Sequence, residues 1–143
     1  MSNLPIVLLG KSEPVGASVI QNLKPEYEVT HFMLSSEAAI AELPFVLKGQ
    51  EPPTKSSEIG SGNYSTPPKA IIFGGGYDGS AIDEILNGIG STNVLLLKSD
   101  QSIPMPPIGP EYGQKILERC KGKLGELTSA GKLDERQGGS FFY

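Results

Sequence analysis

The sequence predicts an α/β protein, a three-layer sandwich built on a mainly parallel sheet of four or five strands. Three observations carry this. Apolar runs alternate with helical periodicities in the order β-α-β-α-β-α-β-α. The runs are rich in β-branched residues and continuous in apolar character, the pattern of strands covered on both faces. Glycine follows directly where the chain must turn from strand to helix, at Gly10 and Gly74.

Each element has its own residues. Ile6-Val7-Leu8-Leu9 is the first strand, ended by Gly10. Pro14 suits a helix's first turn. Val15, Val19, Ile20 and Leu23 share one face, so 14–23 is a helix, stopped by Pro25. Residues 27–34 (YEVTHFML) form the second strand. Ser35-Ser36-Glu37 is an N-cap with an acid in the first turn. It opens a short helix that Pro44 interrupts.

Residues 69–73 are the third strand. Ser80-x-x-Asp83 resembles a capping box. Ile82, Ile85, Leu86 and Ile89 then fall at i, i+3, i+4 and i+7, and Gly88 and Gly90 end that helix. Asn93 to Lys98 (NVLLLK) is the fourth strand, buried on both faces, and 99–110 is a Pro-rich connection. The last helix spans about 111–129, with Tyr112, Ile116, Leu117, Cys120, Leu124 and Leu127 on its apolar side.

One domain over 1–130 accounts for the length of 143 residues, with a tail at 131–143. Two segments stand apart. In 49–68, thirteen of 20 residues are Gly, Pro, Ser or Thr. Because it holds no convergent ionisable cluster, the segment reads as a flexible insertion, the alternative being a functional lid. The tail ends in Phe141-Phe142-Tyr143, aromatics that pack back on the domain or on another subunit.

Composition excludes several classes. No apolar run is long enough for a transmembrane helix, and the start has no signal-peptide pattern. One Cys rules out a disulfide framework, and one His argues against a His-based metal site. A net charge of -4 argues against nucleic acid. The expected setting is the cytoplasm.

In parallel α/β sheets, ligands sit beyond the carboxyl ends of the strands, near the point where strand order reverses. The candidate site is therefore built from loops 10–16, 74–79 and 98–103. A Rossmann-like order 3-2-1-4 puts 10–16 and 98–103 at that point. A flavodoxin-like order 2-1-3-4 puts 10–16 beside 74–79. A glycine turn entering a helix offers backbone N–H groups to a phosphate. Gly10, Ser12 and Gly16 meet that description. So does Gly74-Gly75-Gly76-Tyr77-Asp78-Gly79, a G-x-G-x-x-G after a strand and before a helix. Asp100 ends the next strand, where a ribose-binding acid belongs.

The segment LLGKSEPVGASVIQNL resembles the N-terminal dinucleotide motif of short-chain dehydrogenases and their NmrA-like relatives. Gly10 and Gly16 match its first and last glycines, and Glu13 stands at the middle one. That family's catalytic Tyr-x-x-x-Lys pair has no counterpart here. Residues 5–98, with KAIIFGGG and IDEILNGI, are similar in fold to the N-terminal domain of D-2-hydroxyacid dehydrogenases. The resemblance to the short-chain dehydrogenases implies NAD or NADP as cofactor; the likeness to the D-2-hydroxyacid dehydrogenase domain is one of fold, not of activity.

His31 reads as a surface or internally satisfied strand residue, and Cys120 as a buried, inert thiol. Tyr77 and Asp78 are the one acid–base pair at the glycine loop. Lys115, Arg119, Lys121 and Lys123 read as a solvated face. The expected function is a domain binding a nucleotide or another small anionic ligand, with no reaction assigned. The competing expectation is a non-catalytic homo-oligomerisation or partner-binding module that has lost its cofactor.

Overall fold

The computed structural model describes residues 4–90, 94–104, 106–107, 109–131 and 139–143. Five strands and four helices alternate: β1 (Leu4–Leu9), α1 (Glu13–Leu23), β2 (Tyr27–Met33), α2 (Ser36–Val46), β3 (Ala70–Phe73), α3 (Gly79–Ile89), β4 (Leu95–Lys98), α4 (Pro110–Ser129) and β5 (Ser140–Phe142). The sheet is parallel throughout and its order is β2-β1-β3-β4-β5. Of the two orders the sequence allows, this is the flavodoxin-like one, with the reversal between β1 and β3. Asn93, where the predicted fourth strand begins, and residues 132–138 of the tail lie outside the described residues.

The apolar runs divide by alternation onto two faces. Ile6, Leu8, Ile72 and Leu97 join α1 and α4 in one core layer. Val7, Leu9, Ile71 and Phe73 join α2 and α3 in the other. Among the described residues, no helix is long and apolar enough to cross a membrane.

β2 breaks its own alternation. Ile6 pairs with Val29, but Val7 pairs with His31, so Thr30 is an extra residue and a β-bulge. Before the bulge, Tyr27 and Val29 belong to the α1/α4 layer; after it, Met33 belongs to the α2/α3 layer. His31, opposite Val7, is thereby turned toward α2.

Several local expectations are corrected. α2 passes through Pro44 and ends at Val46. The missing N–H costs one bond in the last turn, while Leu43 and Val46 are fully buried there. α3 is capped by Asp78, whose side chain accepts from Ala81 N–H at 2.9 Å, so Ser80-x-x-Asp83 is not the cap. Gly88 lies inside α3, where a Cβ would strike the Ile40 side chain of α2 at 2.7 Å. Gly90, at φ 82°, ends the helix. Leu96 and Lys98 of β4 are half-buried, so only alternate residues of that strand are covered.

The tail returns to the sheet as β5, pairing with β4. Tyr143 is buried and its hydroxyl donates to the Phe73 carbonyl. Phe141 packs on the same core layer, while Phe142 is 57% exposed. Arg119 leaves the expected solvated face and donates to the carbonyls of Asp100 and Tyr143. Cys120 is fully buried, and burial pushes its thiol up to about 12.

The 49–68 segment lies against the outer side of β2. Ser61 N–H donates to the Val29 carbonyl at 2.9 Å and Gly62 N–H to the Thr30 carbonyl at 3.0 Å. Gly60 comes so close that a Cβ would meet the Thr30 carbonyl oxygen at 2.8 Å.

Candidate functional site

A cavity of about 180 Å³ sits at the reversal between β1 and β3. Leu8 and Leu9 form its floor, Val15, Val19, Phe32 and Ile116 its apolar walls, and the backbone at Gly74 to Gly76 its far side. Lys11, Ser12 and Tyr112 are its lining residues with polar side chains. The exposed Lys11 ammonium lies 4.4 Å from the Tyr77 ring centroid. Among the described residues no carboxylate forms an ion pair with it.

Six of the predicted site residues meet here: Gly10, Ser12, Gly16, Gly74, Gly75 and Gly76. Three of these six amides are engaged at backbone carbonyls: Gly10 N–H donates to Met33, Gly16 N–H to Ser12 and Gly74 N–H to Leu9. Val15 N–H is capped by the Ser12 hydroxyl at 3.5 Å, and Pro14 has no N–H. Glu13 faces away from this space: its carboxylate accepts from the Ser57 hydroxyl.

The glycines are explained by close approach. A Cβ at Gly16 would lie 2.5 Å from Phe32 Cε1, one at Gly74 2.7 Å from the Leu9 carbonyl oxygen, and one at Gly76 2.6 Å from Lys11 Cγ. At Gly75 a Cβ would collide with the Tyr112 hydroxyl. Phe32 thus fills the room that Gly10 and Gly16 leave beside α1.

Asp78, Gly79 and Asp100 lie outside this cavity. Asp78 caps α3, of which Gly79 is the first residue. Tyr77 is buried and donates to the Gly10 carbonyl at 3.1 Å. With its hydroxyl on the Gly10 carbonyl and the Asp78 carboxylate on Ala81 N–H, Tyr77 is a strut and Asp78 a cap; burial raises the Tyr77 phenol to about 12. Asp100 borders a second hollow of about 270 Å³, with Ser99, Gln101, Ile103 and Pro104. Its carboxylate accepts from the Ser102 N–H and hydroxyl, which hold it below the usual range. Gly75 and Tyr112 border both hollows, so Tyr112 is the partition between them.

A second constellation was not legible in the sequence. His31, 1% exposed, has Nε2 2.7 Å from Glu42 Oε1 and Nδ1 2.9 Å from the Tyr64 hydroxyl. Glu42, 3% exposed, also accepts from Ser56 N–H at 3.0 Å. Burial lowers the His31 pKa, against the pull of Glu42, and raises that of Tyr64. The 49–68 segment therefore does contribute to an ionisable cluster, through Lys55 and Tyr64. A cavity of about 170 Å³ borders it, lined among others by His31, Lys55, Ser57, Glu58 and Tyr64. Among the described residues, no group of three or more His, Cys, Asp or Glu is arranged to hold a metal ion.

No family model matches the chain, and no solved structure matches it. Kojic acid related protein 6 of Aspergillus oryzae is 36% identical over 138 residues, spanning 93% of this chain and 83% of that protein. With that identity sustained over nearly the whole domain, the chain belongs to the same family as Kojic acid related protein 6.

Proposed function

We propose that the chain binds a small molecule, one apolar or aromatic ring carrying an anionic edge, in the cavity between β1 and β3. The observation that carries this reading is an apolar cavity lined in part by Lys11, whose ammonium forms no ion pair among the described residues. An apolar cavity of about 150 Å³ holds a benzene ring, so about 180 Å³ suits a single six-membered ring. Whole-cofactor sites run to roughly 300–1,000 Å³. The N-terminus of α1 also has few free amides for a pyrophosphate. NAD or NADP is thus the less favoured ligand.

The relative's name ties that protein to kojic acid. Kojic acid is a single six-membered oxygen ring with an acidic hydroxyl, which makes it a suitable first probe. The test is thermal shift with kojic acid, benzoate, NAD, NADP, FMN and ATP on the wild type and on Lys11→Met. A ring acid at 100 times its dissociation constant stabilises by about 2.7 kcal/mol, a shift of several degrees. That shift should shrink in Lys11→Met. A shift with nucleotides alone, or an equal shift in both proteins, overturns the ring-acid reading.

A partner-binding module is the second reading. It draws on the exposed Phe142 of the edge strand β5. No shift with any compound, together with self-association that Phe142→Ser abolishes, would favour it.

A further inference from the structure

The Glu42–His31–Tyr64 chain shares no lining residue with the Lys11 cavity. It is a built feature. The bulge at Thr30 re-aims His31 toward α2, as bulges beside functional sites do. An ionised carboxylate only accepts. Glu42 therefore holds the imidazole proton on Nε2 and leaves the Nδ1 lone pair for the Tyr64 O–H. A hydroxyl 2.9 Å from a base, with the base fixed at 2.7 Å by a third group, is the geometry of an activated nucleophile. Tyr64 and His31 both border the cavity of about 170 Å³, which gives a substrate a place to sit. Lys55, on the same wall and 5.6 Å from the Tyr64 ring centroid, is paired with Glu51 and would have to leave that carboxylate to meet a developing oxyanion. Stability alone does not require this chain, because apolar residues of similar volume often replace a buried ion pair at no loss.

We propose that Tyr64, His31 and Glu42 form a nucleophilic site for small activated esters. Tyr64 Oη attacks the ester carbonyl carbon and a new O–C bond forms. The bond from that carbon to the leaving oxygen breaks, and its electron pair departs with the oxygen. The phenol proton passes to His31 Nδ1 and then to the leaving oxygen, while Glu42 stabilises the imidazolium in between. Water, deprotonated by His31, then cleaves the acyl-tyrosine, releases the carboxylic acid and restores the phenol.

The experiment treats the whole chain with p-nitrophenyl acetate, follows the nitrophenolate burst and maps acetyl groups by mass spectrometry. The expected result is one acetyl group on the Tyr64 peptide. Tyr64→Phe keeps the ring in place and should abolish that label. Glu42→Gln removes the carboxylate that fixes the His31 tautomer and stabilises its imidazolium, and should slow labelling by about 100-fold or more. Acetylation confined to surface lysines, or an equal burst in wild type and Tyr64→Phe, overturns the proposal. So does equal Tyr64 labelling in wild type and folded Glu42→Gln.

Discussion

At Gly16 the close approach of α1 to β2 is set by a single aromatic ring. A methyl group there would sit 2.5 Å from Phe32 Cε1, and the ring also walls the Lys11 cavity. Gly16→Ala should therefore destabilise the fold by about 1–3 kcal/mol, the cost of overpacking. Urea denaturation reads this out. Phe32→Leu in the same chain should recover part of the loss, a coupling of about 0.5–3 kcal/mol expected of residues in contact. The spacing of Gly10 and Gly16 was visible in the sequence, but its cause was not. The same two glycines serve a phosphate in one fold and a phenyl ring in another, and the ring comes from Phe32 on the next strand, beyond the whole of α1. Lys11 was legible only as a member of its loop. Its significance comes from the apolar surroundings that four separate elements assemble.

The elements divide by how local their causes are. The four helices and the first four strands were legible because periodicity and caps act within a few residues. β5 has three residues and follows a polar stretch, so only its pairing with β4 makes it a strand. The bulge in β2 was equally hidden, because register belongs to a pair of strands and not to one. Its consequence is testable by pH. Glu42 from α2, and Lys55, Glu58 and Tyr64 from the 49–68 segment, surround or border His31. Burial lowers its folded pKa below the value of about 6.5 that it has when unfolded. Between those two values the unfolded chain holds more protons, so stability falls as pH falls. The stabilising effect is full above about pH 6.5 and is lost toward the lower, folded pKa. Denaturation midpoints from pH 8 to pH 5 should show a steeper decline for wild type than for His31→Gln; parallel declines would remove His31 as the cause.

Across the whole molecule, Tyr143 ties the end of the described chain to its centre. Its hydroxyl reaches the Phe73 carbonyl of β3, and its backbone meets Lys98, Asp100 and Arg119. Tyr143→Ala should cost about 3–5 kcal/mol, as removal of a buried aromatic does. That is a large share of the roughly 5–15 kcal/mol that holds a typical domain together. A single cooperative transition, shifted to lower urea, is the expected observation. An unshifted midpoint would mean that the aromatic terminus is ornamental to the fold.

The two margins of the sheet are treated differently. β2 carries the backbone of Ser61 and Gly62 along its outer side, and β5 carries nothing comparable among the described residues. An unguarded strand is a template on which another chain can grow. The long Gly/Pro/Ser-rich segment thus acts as a bumper for β2, and its length serves colloidal behaviour as much as ligand chemistry. A shortened version would strip Ile59 and Tyr64 from the two core layers and offer the Val29 and Thr30 carbonyls to the first extended chain that drifted past.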